Sequence, residues 1–407
     1  MLAATGPRLR RAAAGLAAAA LAGTVLAPAP ARADEVRDRQ EPILKLLETD
    51  GAWKITRGAG VTVAVVDSGV DATQADLTGS VTTGPNMLAE VDAGTRGVRR
   101  HGTGMASIIA GHGHGPGGGA GIIGIAPQAR VLAIRAIGEP EDASYGRYRV
   151  SDGADDAVAR GIRYAADHGA DVINLSLGKY EEAPEERAAI GYAIGKGVVV
   201  VSAVGNDGDK QRRLDEDGFA PYSYPASYPG VIAVAATDPD HARAGFSNRN
   251  YSVVISAPGA GLPVAGPGRR YYLSDGTSDA SAVVSGIAAL IRSRHPKMPP
   301  ALVAQALIAG SRNDGGKYEV GTGFGEVSAF RALSAAGRLT AARPGGTGGK
   351  AAGERFGDGS PGPVAVVPHP AWFRPLIAAV TAGGVIGAGA ALVIAVALAR
   401  RAPRRPD

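Results

Sequence analysis

The chain has 407 residues, 45% of them hydrophobic, with 60 Gly, 27 Pro, no Cys and a formal net charge of +5. That charge does not point to nucleic acid: three Arg fall in residues 1–11 and four Arg against one Asp in residues 400–407, leaving 36 basic and 37 acidic residues between them. Without cysteine, disulfides and thiol chemistry are excluded, and stability must come from a hydrophobic core, which a chain of this length can bury.

Residues 1–33 have the layout of a signal peptide. Arg8, Arg10 and Arg11 precede an Ala/Leu run from Ala12 to Leu26, and Ala31-Arg32-Ala33 offers small residues for cleavage. The Arg10-Arg11 pair leaves twin-arginine export open beside the ordinary secretory route. Residues 34–52, DEVRDRQEPILKLLETDGA, are too short for an independently folded pro-domain and are expected to wrap the domain that follows, residues 53–338.

In that domain, VTVAVVDSG (61–69), ARVLAIRAI (129–137), DVINLSLG (171–178), GVVVVSAVGN (197–206) and GVIAVAAT (230–237) are near-continuous Val/Ile/Ala runs. Such runs mark strands buried on both faces. Helices are expected after His101, over 152–170 and 183–197 with acidic starts and Gly ends, and over 281–296, which is apolar nearly all round and suits a buried helix. The alternation predicts an α/β fold, a doubly wound and mostly parallel sheet with helices on both faces. In such sheets chemistry gathers beyond the carboxyl ends of the strands, where Asp67 and Asn206 both fall.

Residues 339–373, dense in Gly and Pro, read as a linker. Residues 374–399 are expected to form one C-terminal transmembrane helix, since Leu376 to Ala399 gives 24 residues without a charge. At roughly 1.5 Å per residue that length crosses a hydrocarbon core of about 30 Å. The basic tail, 400–407, would be cytoplasmic and the preceding chain outside, with Trp372 and Phe373 at the outer interface.

Three short segments carry the chemistry: VAVVDSGV around Asp67, HGTGMA from His101 and DGTSDASA around Ser278. An acid, a base and a hydroxyl nucleophile in Gly-rich, tightly turned settings are the parts of a Ser-His-Asp acyl-transfer site. Their order, Asp then His then Ser at separations of 34 and 177 residues, differs from that of chymotrypsin-type and α/β-hydrolase sites. Ser278 at a helix start gains from free N–H groups and the dipole, and Asn206 at a strand end offers an amide to a developing oxyanion. Asp279 sets a second carboxylate beside the nucleophile. His112 and His114 in GHGHGPGGG (111–119) stand at i, i+2 on a Gly-rich stretch without further ligands, so a loop is expected there, with no metal and no cofactor.

VVDSGV, HGTG, INLSLG, VGN and GTS lie in the order of the subtilases, and the chain resembles that family from about Trp53 to Gly337. AWKITRGAGVTVAVVDSGVDA, the secretory signal and the C-terminal span resemble more closely the mycosins, the subtilases of actinobacterial type VII secretion. The resemblance implies a seven-stranded parallel sheet, endopeptidase activity outside the membrane on protein substrates, and Asn206 as the side-chain donor of the oxyanion hole beside the Ser278 backbone N–H. It also implies Ser176, Leu177 and Gly178 as the segment pairing with the substrate backbone, and Ala203, Val204 and Gly205 as one wall of the first specificity pocket. The family pattern after the nucleophile has an apolar residue and later a Pro where this chain has Asp279 and Ala282, and Gln74 stands where a His is frequent. Two functions are expected from this layout: a membrane-anchored extracytoplasmic serine endopeptidase acting on secreted proteins, or a mainly structural stabiliser of a type VII secretion membrane complex.

Overall fold

A computed structural model describes residues 35–313, 317–341 and 373–401. The expected signal peptide, most of the linker and most of the basic tail lie outside the described residues. The chain divides into two units, Met1–Arg343 and Pro344–Asp407.

The first unit is built on seven strands: β1 (Thr62–Asp67), β2 (Val81–Asn86), β5 (Arg130–Arg135), β6 (Val172–Leu175), β7 (Val199–Ala203), β8 (Ile232–Thr237) and β9 (Ile255–Pro258). They form one sheet in the order β2-β5-β1-β6-β7-β8-β9. Every neighbouring pair is parallel. Two hairpins complete the strands: β3 (His112–His114) with β4 (Ala120–Ile123), and β10 (Leu262–Gly266) with β11 (Arg270–Ser274).

Alternation along the strands builds a core on each face. Val63 and Val65 of β1 join one apolar cluster, while Ala64 and Val66 join the other. The first cluster packs helices α3 (Arg100–Ala110) and α6 (Thr277–Arg294), through Met105, Ile109, Val283 and Ile287. The second packs α4 (Ala157–Asp167) and α5 (Pro184–Gly195), through Val158, Ile162 and Ile190. The expected doubly wound sheet is therefore present, and the helix expected over 281–296 is buried as its all-round apolar pattern requires.

Several expectations need correction. The helix over 152–170 is two helices, a single turn at Asp152–Asp155 and then α4, because the chain leaves helical geometry at Asp156. The stretch 111–119 is not an irregular loop throughout: His112–His114 pairs as β3 across positive-φ glycines. Its imidazoles are engaged locally, His114 Nδ1 lying 2.6 Å from the Asp76 carboxylate and His112 Nε2 3.0 Å from the Thr78 carbonyl. Residues 339–341, expected as linker, close helix α8 (Ala329–Ala341), which follows α7 (Pro300–Ala309).

The segment before Trp53 forms α1 (Glu35–Leu46) and α2 (Thr49–Trp53). Arg37 donates to the Gly121 carbonyl at 3.1 Å, and Gln40 bonds both the carbonyl and the N–H of Ile123, at 2.7 and 3.0 Å. The Trp53 indole donates to the Ile125 carbonyl at 2.8 Å. These bonds tie the segment to backbone groups of β4 and of the chain just after it.

Among its described residues the second unit contains one helix, α9 (Phe373–Arg401), of 29 residues. A helix thus forms where one was expected, yet among the described residues no helix is long and apolar enough to cross a membrane.

Candidate active site

The carboxyl ends of β1, β6 and β7 open toward one cleft, as an open parallel sheet dictates. Asp67 ends β1 and is wholly buried. Its Oδ1 accepts the Ser68 N–H at 2.7 Å and faces His101 Nδ1 at 2.8 Å. A carboxylate accepts only, so Nδ1 keeps a proton in either charge state, and in the neutral ring Nε2 holds the lone pair. The imidazole itself is reachable, its side chain being 36% exposed.

This contact depends on a glycine. His101 lies in the first turn of α3, and a Cβ on the next residue, Gly102, would stand 2.3 Å from the Gly69 carbonyl oxygen. Only a residue without a side chain lets the start of α3 approach the end of β1 so closely.

Ser278 is the second residue of α6. Its hydroxyl donates to the Ser176 carbonyl at 3.2 Å, and the Ser176 hydroxyl donates to the Ser278 carbonyl at 2.8 Å. The two segments are therefore cross-stitched. Asn174, inside β6, extends the stitch: its amide donates to Ser176 Oγ at 3.0 Å and its Oδ1 accepts from Ser281 and Ser285 of α6 at 3.2 and 2.9 Å.

Asn206 follows β7 and is exposed to the cleft. Its Oδ1 accepts from both the backbone N–H and the hydroxyl of Thr277, each at 2.9 Å. Because a backbone N–H can only donate, the amide orientation is fixed, and Nδ2 is the group left to serve the cleft. Sequence reasoning missed Thr277 as the residue that aims this amide; the adjoining GTS motif was its only signal.

Two adjoining cavities share Leu177, Gly178 and Lys179. The larger, about 970 Å³, is lined by His101, Ser176, Glu139, Tyr148 and Tyr272 among others. The smaller, about 350 Å³, is lined by Ala203, Gly205, Asn206, Ser223 and Ser278. All nine residues singled out from the sequence, Asp67, His101, Ser176, Leu177, Gly178, Ala203, Gly205, Asn206 and Ser278, thus come together at one edge of the sheet. Val204 is buried behind that wall. Gly178 passes close to the far side of the smaller cavity, where a Cβ would meet the Ser223 hydroxyl at 2.5 Å. Among the described residues no group of three or more His, Cys, Asp or Glu side chains is set to hold a metal ion.

Known proteins resemble this chain. The family model described as Peptidase_S8, the subtilase family, matches residues 58–326. The chain belongs to the subtilase family. A thermophilic serine proteinase from Bacillus sp. (strain AK1) is 40% identical over 247 residues, 60% of this chain and 56% of the relative, so the chain spans little more than half of that protein. Thermitase of Thermoactinomyces vulgaris is 36% identical over 248 residues, 61% of this chain and 80% of its own length. Among solved structures, MycP1 with its N-terminal propeptide removed gives a TM-score of 0.60 at 30% identity, covering 72% of this chain and 96% of that one. MycP3 from the type VII (ESX-3) secretion system gives 0.58 at 29% identity, covering 72% and 87%. Family membership makes this chain a serine endopeptidase, with mycosins among its structural neighbours.

Burial disfavours a charged His101, but the Asp67 carboxylate more than offsets it, and Asp279 and Glu139 add to the effect, raising the His101 pKa to about 9. Burial pushes the Asp279 carboxyl up to about 7, against the opposing pull of the Ser274 hydroxyl and of His101. Asp279 is fully buried; its Oδ2 accepts from Ser274 at 2.8 Å while its Oδ1 has no hydrogen-bond partner. If His101 is the base, it must be neutral to take a proton, so the ascending limb of kcat/KM should be alkaline, with a midpoint near pH 9. Asp279→Ala removes a negative charge near the imidazole, lowers its pKa and should move that limb to lower pH, raising activity at neutrality. A superimposable pH profile would remove Asp279 from the electrostatics of the site.

Proposed function

We propose that this subtilase is a membrane-anchored, extracytoplasmic serine endopeptidase that hydrolyses exported proteins through Asp67, His101 and Ser278, in association with type VII secretion. The observation that carries the reading is the 2.8 Å contact between buried Asp67 and His101, with Ser278 at the start of a buried helix on the same cleft. An extended peptide lying along Ser176 to Gly178 pairs with that accessible segment as an added strand. Once it draws on the Ser176 carbonyl, the Ser278 hydroxyl is released to turn toward His101 Nε2.

The steps then follow from the roles these groups can play. Ser278 Oγ attacks the scissile carbonyl carbon while Nε2 accepts its proton, and Asp67 stabilises the imidazolium that results. The carbonyl oxygen becomes an oxyanion, met by Asn206 Nδ2 and the Ser278 backbone N–H at the positive end of α6. Collapse expels the amine, which takes the proton from His101 and leaves an acyl-enzyme that water cleaves by the same route. A site kept only as scaffold has no physical need for Thr277 to aim Asn206 or for Gly102 to admit His101.

Three features support the place of action. The MycP1 and MycP3 structures belong, by their own descriptions, to type VII secretion systems. Residues 1–33 have the pattern of a secretory signal, and Leu376–Ala399 carries no charge before Arg400, Arg401, Arg404 and Arg405.

A fluorophosphonate reacts only with an activated serine, so it should label the wild-type protein and not Ser278→Ala; folded wild-type protein that resists the probe would defeat the catalytic assignment. Asn206→Ala should lower kcat by about 100- to 1,000-fold with little change in KM, as loss of a single oxyanion donor does. An unchanged kcat would exclude Asn206 from the oxyanion hole. A reporter fused after Asp407 should be active on the cytoplasmic side alone, and activity confined to the outside would reverse the topology.

A further inference from the structure

The first N–H groups of a helix have no partners within it and must find them elsewhere. In α3 the expected capping residue contributes nothing: Arg99 is in the left-handed region, at φ 60°, and its side chain makes no cap bond. A carboxylate from a remote loop replaces it. Glu139 accepts the Arg100 N–H on Oε2 at 3.1 Å and the His101 N–H on Oε1 at 2.5 Å. Gly102 N–H donates to Ser68 Oγ at 3.0 Å, and Thr103 N–H makes the first bond of the helix, to the Arg99 carbonyl at 3.2 Å.

Glu139 is itself anchored. Its N–H donates to Asp142 Oδ2 at 2.8 Å, and that oxygen also receives Arg135 Nη2 at 2.9 Å. Arg135 forks onto Asp92 at 2.6 and 3.0 Å and donates Nη1 to the Ser68 carbonyl at 2.8 Å. Asp142 Oδ1 takes the Val98 N–H at 2.6 Å, just ahead of α3. These groups are buried, and a forked Arg–carboxylate pair fixes geometry in two directions at once. One cluster therefore holds both the backbone that follows Asp67 and the backbone that begins α3.

We propose that Glu139 is a positioning residue for the proteolytic reaction: its carboxylate fixes the first turn of α3, sets the His101 ring against Asp67, and presents a negative charge to the imidazole. This rests on the assignment of Asp67, His101 and Ser278 as the catalytic groups. Negative charges that act on His101 come from Asp67 in β1, Asp279 in α6 and Glu139 in the loop after β5. Glu139 also lines the larger cavity, so the residue holding the base forms part of the wall against which substrate lies.

The test is the rate of fluorophosphonate labelling of the full chain across pH, for wild type, Glu139→Gln and Glu139→Asp, with thermal melts alongside. In the Glu139→Gln variant one terminal group of the side chain is a donor and cannot face a backbone N–H, and the charge is gone. The limiting rate should fall about tenfold or more, as small misplacements of a reacting group allow, and the midpoint should move to lower pH. The Glu139→Asp variant keeps the charge, but its side chain is one methylene too short to bridge both N–H groups, so its midpoint should stay with wild type while its limiting rate falls. A cap serving stability alone would lower the melting temperature and leave rate and midpoint unchanged, which overturns the proposal. If Glu139→Gln does not fold, Glu139→Asp decides by its limiting rate, and an unchanged rate overturns the proposal. Failure of the catalytic assignment looks different: wild-type labelling would then be indistinguishable from that of Ser278→Ala, and the role of Glu139 would fall with it.

Discussion

The close approach of α3 to the end of β1 is the constraint on which the rest of the site depends. A parallel sheet brings strand ends to one edge but does not specify how near a following helix starts. Here the distance is set where Gly102 passes the Gly69 carbonyl with no room for a Cβ. Asp67 can therefore be fully buried and still reach His101, whose ring stays open to the cleft. A charge buried at the end of an apolar strand is costly unless hydrogen-bonded, and Asp67 Oδ1 meets that need with Ser68 N–H and Nδ1 while Oδ2 is left without a partner.

The segment that carries Ser278 is located by a different device. α6 lies inside the fold, its residues Ala280 to Ile291 fully or almost fully buried between sheet and neighbouring helices. Apolar packing alone would tolerate a shift along the helix axis, because Ala, Val and Ile side chains impose little directional preference. Asn174 removes that freedom. Its side chain binds two serines a turn apart on α6 and the hydroxyl of Ser176, which in turn holds the Ser278 carbonyl. Buried polar groups satisfied in this way specify register where hydrophobic contact cannot.

The parts of this molecule that were legible from sequence are those written in local pattern. Five core strands announced themselves as Val/Ile/Ala runs, and the candidate catalytic groups as short motifs whose glycines are required by contacts such as that of Gly102. Strand β2 was not seen because VTTGPN is polar, contains Gly and Pro and is only partly buried at the sheet edge. β9 is four residues ending in Pro. The β3–β4 hairpin hid in a Gly-rich run because its pairing depends on positive-φ glycines and on the clamp from Arg37 and Gln40, some 80 residues earlier. Thr277, Asn174 and Glu139 are ordinary residues in sequence, and each acquires its role from a partner that only the fold brings near.

The electrostatics around His101 embody a compromise. In the proposed mechanism three carboxylates around one imidazole stabilise the imidazolium that forms as Ser278 loses its proton, which favours the transition state. The same charges hold the resting ring protonated: with a pKa of about 9, roughly one ring in a hundred is neutral at pH 7. Asp67 is needed for orientation and Glu139 is engaged by backbone N–H groups, so neither can be removed without loss of geometry. Asp279 differs, since one of its oxygens has no partner and nothing in the first turn of α6 requires a carboxylate there. Near neutrality its own ionisation is in balance, and each proton it gives up strengthens the hold on the proton of His101. Asp279, one of the positions that depart from the subtilase pattern, is thus the one through which the charge around His101 responds to pH near neutrality.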